Sequence, residues 1–162
     1  MPVSFSKYTL VMLFAFSLVG IAAAGIIFVD YYLMHSGTLP LCSITSVGAA
    51  DAVVQVNCIA VISSKFDEVL GIPLDFLALA WFTINLFFIL ILITNKVKSK
   101  GNIRRIQQFM LAWAIIGIAV VPYLVYLEID VLKSLCLYCT TMHIAIILDF
   151  LFVVFAFLKS KR

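Results

Sequence analysis

The sequence predicts an all-α integral membrane protein, a four-transmembrane-helix bundle with a long extracytoplasmic loop between its first and second helices. Three observations carry that prediction. Of 162 residues, 65% are apolar and 12% charged, against roughly 45–50% and about 25% in soluble domains. The apolar residues fall in four continuous runs, Tyr8–Val29, Gly71–Thr94, Ile106–Leu127 and Leu135–Leu158. The basic residues sit in short clusters between those runs. With a mean hydropathy of +1.20, the chain has too few charges to coat a globule in water, so lipid must solvate most of its surface. The net charge of +3 forms no phosphate-tracking stripe, and nucleic-acid binding is excluded as a function class.

Each run holds about 22 to 24 residues and, at about 1.5 Å per residue, crosses a hydrocarbon core of roughly 30 Å. Lipid gives backbone groups no partners, and runs without period-2 alternation are helices rather than barrel strands. The first run is read as a retained anchor. It exceeds the apolar length of a signal peptide, and no A-x-A-like site precedes a polar mature sequence. Pro122 falls inside the third run, where neighbouring helices can satisfy the freed carbonyl.

Orientation follows from the Lys and Arg positions. Lys7 precedes the first run, Lys96, Lys98, Lys100, Arg104 and Arg105 lie between the second and third, and Lys159, Lys161 and Arg162 follow the fourth. Only Lys65 and Lys133 fall in the other two connections. Both termini and the middle loop are therefore expected in the cytoplasm, in a multi-pass protein of the cell membrane. No internal repeat or long linker interrupts the chain, so residues 1–162 read as one domain.

This topology places all four cysteines, Cys42, Cys58, Cys136 and Cys139, on the extracytoplasmic side, where disulfides persist. Cys136-Leu137-Tyr138-Cys139 is a CxxC at the start of the fourth run. A helix start and a partner sulfur both stabilise a thiolate there. Thr140 stands where a c-type haem site needs His. Cys42 and Cys58 lie in the long outer loop, and a purely structural bridge of about 3 kcal/mol is one reading of that pair. A relay of electrons between two cysteine pairs is another, the loop pair meeting a soluble partner and the helix pair something dissolved in the lipid. A four-thiolate zinc site fits less well, because the first pair lacks the short spacing such sites use.

His143 shares a helix face with Cys136 and Cys139. It is expected to line an acceptor pocket, binding a quinone carbonyl or moving a proton. Thr140 and Thr141 offer hydroxyls, although helical Thr more often bonds the preceding turn. Asp149, about 15 Å deeper than Cys139, and Asn85 read as interhelical contacts. Trp81, Trp113, Phe82 and Phe76 can stack on a quinone ring or simply pack. The apolar stretch from Ala52 to Ile62 is too short to cross and is expected at the membrane interface, holding Cys58 near Cys136.

These residues resemble the vitamin K epoxide reductase family, and more closely its prokaryotic members without a fused thioredoxin-like domain. The resemblance rests on Leu41-Cys42, on the run from Cys58 through Ser63-Ser64-Lys65-Phe66, on Gly71-Ile72-Pro73-Leu74, and on Cys136-Leu137-Tyr138-Cys139-Thr140-Thr141. It implies a quinone-dependent membrane oxidoreductase that generates disulfides. Cys136 and Cys139 would form the active-site disulfide, with Cys139 facing the quinone. Cys58 would exchange with Cys136, and Cys42 would meet the partner. Ser64 matches a family serine close to the quinone. His143 stands where the vertebrate enzymes have a tyrosine, and Leu74 near their substrate-binding asparagine, which argues against vitamin K epoxide as natural substrate. The cofactor expected is a quinone of the ubiquinone or menaquinone type. The partner is a separate thioredoxin-like dithiol protein, met by a monomer in membrane lipid. Quinone or quinone-epoxide reduction as the useful reaction, and a disulfide-stabilised protein without turnover, are the alternatives.

Overall fold

The computed structural model describes residues 5–34, 39, 42, 45–47, 54–69, 71–94 and 100–161. Four helices long and apolar enough to cross a membrane dominate it, as the four hydrophobic runs require. Helix α1 (Lys7–Ile27) leads into β1 (Thr45–Val47), β2 (Val54–Val56) and a short α2 (Cys58–Ile62). The hairpin β3 (Glu68–Val69) and β4 (Ile72–Pro73) precedes α3 (Leu74–Ile93). Helix α4 (Lys100–Tyr126), strand β5 (Ser134–Leu135) and helix α5 (Leu137–Lys161) complete the chain.

The helix boundaries depart from the hydrophobic runs for identifiable reasons. The second span starts at Leu74, because Gly71 turns the chain with a φ of 78° and Pro73 takes the N-cap position of α3. The third starts at Lys100, so Arg104 and Arg105 lie on the helix rather than in the connecting loop. Lys and Arg are good helix formers whose stems reach along apolar surface. Lys96 and Lys98 lie outside the described residues. Both α1 and α4 continue into one wider, π-type turn, Phe28–Leu33 and Leu127–Val131. The Met34 amide donates to the Val29 carbonyl at 2.9 Å, and the Leu132 amide to that of Leu127 at 2.8 Å. Such turns redirect the side chains that follow them and recur at functional sites.

Helix α1 packs against α3 and α5, and α4 packs against α5. Gly20 lies so close to the buried Phe82 ring that a Cβ would overlap it, which lets α1 and α3 approach. Two apolar clusters fill the bundle. One, around Leu13, Ile89, Met110 and Val153, fills the end away from the cysteines. The other gathers Ala24, Ile27, Phe82 and Met142 with Cys58, Cys136 and Cys139. On α1, α3 and α5, Ser17, Asn85 and Asp149 are buried together. The Asn85 amide donates to Asp149 Oδ2 at 2.9 Å and to Ser17 Oγ at 3.2 Å. Asp149 and Asn85 are thus the interhelical contact expected of them.

The outer segments form a small sheet in the order β1-β2-β5. Strand β2 runs antiparallel to β1 and parallel to β5, with Gln55 opposite Ser134 and Val56 opposite Leu135. Of the apolar stretch expected at the interface, residues 54–62 are this strand and α2, with Cys58, Val61 and Ile62 buried. Lys133, the one described non-glycine residue with positive φ (47°), turns the chain from α4 into β5.

Candidate functional site

The strand pairing decides where the cysteines meet. Cys136 directly follows the β5 residue Leu135, whose carbonyl accepts from the Asn57 amide at 3.1 Å. Cys58 is the next residue along from Asn57. Asn57 caps α2, its side-chain oxygen accepting from the Ala60 amide at 3.1 Å, and a local helix therefore starts at Cys58. Cys58 is fully buried and joined in a disulfide to the half-buried Cys42, their Cα atoms 5.7 Å apart. Cys136 and Cys139 are free thiols. The loop pair is thus bridged and the helix pair is not, with Cys58 and Cys136 in one buried cluster.

At the start of α5 the Cys139 amide donates to Cys136 Sγ at 3.3 Å. Cys136 sulfur is in effect the cap of this helix, and the amide solvates charge developing on it during exchange. Thr140 Oγ1 bonds the Cys136 carbonyl at 2.9 Å and Thr141 Oγ1 the Leu137 carbonyl at 2.8 Å. Both hydroxyls serve the preceding turn, and neither Thr lines the cavity.

A partly open cavity adjoins Cys139. Its apolar walls come from Val61, Phe66, Ala78, Leu124, Met142 and Ile146. Cys139, His143, Ser64 and Leu74 also line it, which brings together four of the residues singled out in the sequence. Ser64 Oγ is buried there with no hydrogen-bond partner among the described residues. Trp81 is a correction, since it is absent from the cavity wall. Its indole stacks on Trp113 at 6.2 Å and 11°, meets Phe82 edge-on at 4.9 Å, and fills the space beside Gly117.

Three carboxyl residues of this cavity, Asp67, Asp75 and Glu128, are not among the residues the sequence singles out. The available signal was ionisable groups at span ends close to a CxxC. Glu128, 4% exposed, sits in the wide turn that ends α4, and its carboxylate accepts from the Cys136 backbone amide. Its Oε1 lies 3.9 Å from His143 Nδ1. Asp75 Oδ2 is buried without a partner among the described residues. Asp67 accepts from the Tyr32 hydroxyl at 3.1 Å. Burial, with the Asp75 charge adding to it, pushes the Asp67 carboxyl up from 3.8 to about 8.

An apolar bundle carrying two cysteine pairs in one buried cluster, one of them beside a cavity, has the parts of a membrane redox protein that works through cysteine. Residues 11–154 match the model of the Vitamin K epoxide reductase family, and the chain belongs to that family. Its members are quinone-linked oxidoreductases, and no curated protein sequence matches the chain. The cavity fits such a group: apolar walls, a few converging polar side chains, an orphaned Ser64 hydroxyl and a reactive sulfur at one wall.

Proposed function

We propose that this protein oxidises a separate thioredoxin-like dithiol protein outside the cytoplasm and passes the two electrons to a quinone of the ubiquinone or menaquinone type. The observation that carries this reading is the β2–β5 pairing. It sets the Cys42–Cys58 bridge beside Cys136 and Cys139, the latter on the cavity wall. Cys42, half-buried, is the sulfur a partner thiolate can reach. Its attack on Cys42 releases Cys58, and the partner's second thiol then resolves the mixed disulfide. Cys58, reduced, attacks a Cys136–Cys139 disulfide at Cys136, and Cys42 closes back on Cys58. Cys139, left as the free thiol, faces the cavity. A quinone bound there supplies the sink for two electrons and two protons. Ser64 and His143 offer the polar groups that orient it. The Lys and Arg distribution supports cytoplasmic termini and cysteines on the far side.

The test is anaerobic reduction of the purified protein with dithiothreitol, then addition of quinone while thiols and quinol are counted. Stoichiometric quinol that vanishes in Cys139→Ala supports the acceptor side. On the donor side, Cys58→Ala should accumulate a mixed disulfide through Cys42. No electron transfer and no trapped partner would leave a bridge that serves structure only.

A further inference from the structure

Oxidising the Cys136–Cys139 dithiol breaks two S–H bonds and forms one S–S bond. The electron pair leaves with two protons, and a quinone that accepts both forms two O–H bonds. Protons do not cross an apolar cavity unaided, so the site needs groups that hold them between sulfur and acceptor. Glu128 is placed to do this. It is buried, it lines the cavity with Cys139, its carboxylate is anchored on the Cys136 amide, and His143 Nδ1 lies 3.9 Å from its Oε1. That gap is one a single water or a side-chain movement of about 1 Å closes into a hydrogen bond. Asp75, which also lines the cavity, presents a buried carboxyl oxygen without a partner among the described residues.

We propose that Glu128 takes one of the thiol protons as the helix disulfide closes and returns it through His143 to the acceptor in the cavity, while Asp75, on the same cavity, carries the other. The proposal rests on the quinone-linked reading above for the identity of the acceptor only. In this arrangement His143 receives a proton on Nδ1 and gives one up from Nε2, so it ends each turnover neutral. Both carboxyls end each turnover in the state in which they began, and no proton is drawn from either side of the membrane. Asp149, by contrast, is held by Asn85 among closed packing and has no part in the route.

Glu128→Gln is the decisive variant, because the amide keeps a carbonyl for the Cys136 backbone amide yet cannot take a proton. The first measurement is the infrared difference spectrum between dithiol and disulfide states of quinone-free protein. The expected result is a protonated-carboxyl band that tracks the helix disulfide, shifts when glutamate is isotope-labelled, and is lost in Glu128→Gln. The chain has only two glutamates, Glu68 and Glu128, and Glu68 is exposed, so labelling the native protein identifies the band even if the variant does not fold. The second is single-turnover quinol formation, expected to slow roughly 10²–10⁴-fold in Glu128→Gln, with dithiothreitol exchange at Cys42–Cys58 unchanged. A labelled spectrum with no glutamate band, or a variant as fast as the native protein, overturns the proposal. Native protein that shows the band but never reduces quinone overturns the quinone reading and leaves the role of Glu128 at the thiols standing.

Discussion

At the end of the bundle away from the cysteines, Leu13, Ile89, Met110 and Val153 are buried with Leu10, Ala114 and Ala156. At the cysteine end, Cys58, Cys136 and Cys139 are buried among Ala23, Ala24 and Ala145. There the helices widen into π-type turns, Lys133 takes a left-handed conformation, and three acids line a cavity. One end is built as lipid-solvated helices must be, by apolar packing with backbone bonds closed inside each helix. The other keeps irregular backbone and buried carboxyls, both costly in an apolar setting, and they surround the reactive sulfurs. Two of the buried aspartates, Asp149 and Asp75, make the contrast concrete. Each leaves one carboxyl oxygen without a partner among the described residues, but Asp149 Oδ2 receives a hydrogen bond from Asn85 on a facing helix, whereas Asp75 lines the cavity. What separates the two acids is the space beside Asp75.

That contrast can be broken or sharpened by substitution. The largest effect is expected from Cys139→Ala, which should cut quinone reduction by roughly 10³-fold or more, as removal of a reacting nucleophile does, with the melting temperature little changed. Substantial retained activity in a quinol assay would mean that the cavity is not the acceptor site. Gly20→Ala should do the opposite. A Cβ there meets the Phe82 ring, and overpacking of this kind costs about 1–3 kcal/mol, read as a lowered unfolding midpoint in detergent. The thiol chemistry of whatever folds should be unimpaired. Asn85→Ala removes the donor that Asp149 uses and should cost about 1 kcal/mol, in the range measured for hydrogen bonds between membrane helices, again without changing exchange rates.

The smallest effect concerns Asp67, outside the spans. Its folded-state value of about 8 lies above the ordinary 3.8, so the folded protein holds a proton that the unfolded chain releases. The stability this group contributes is complete below about pH 4 and is lost as the pH rises through about 8. Unfolding midpoints should therefore decline across that window, and Asp67→Asn should flatten the decline. An identical slope in the variant would assign the pH dependence to other groups.

Much of this was legible in the chain. The four runs gave four spans because a helix is the only local solution for a continuous apolar segment in lipid. Cys139, His143, Ser64 and Leu74 line one cavity; helical spacing puts Cys139 and His143 on one face, and Ser64 and Leu74 come from the family resemblance alone. Trp81 does not line it, because a residue's own helix does not reveal which ring of a neighbouring helix will claim it. Glu128 is not singled out by the sequence, since its inward aim depends on the wide turn after Tyr126 and on the Cys136 amide that it accepts from.

The sequence by itself determined the helices, the approximate ends of each, and the placement of every cysteine at one end of the bundle. Those follow from local period, length and hydropathy, which a window of neighbouring residues contains. Only the tertiary structure decided that β2 pairs with β5, that Cys58 thereby joins Cys136 in one buried cluster, and that Glu128, His143, Asp75 and Cys139 share a cavity. Each of those is a contact between segments far apart in the chain. Its stability comes from hydrogen bonds and packing that no single segment carries, so it exists only once the segments have met.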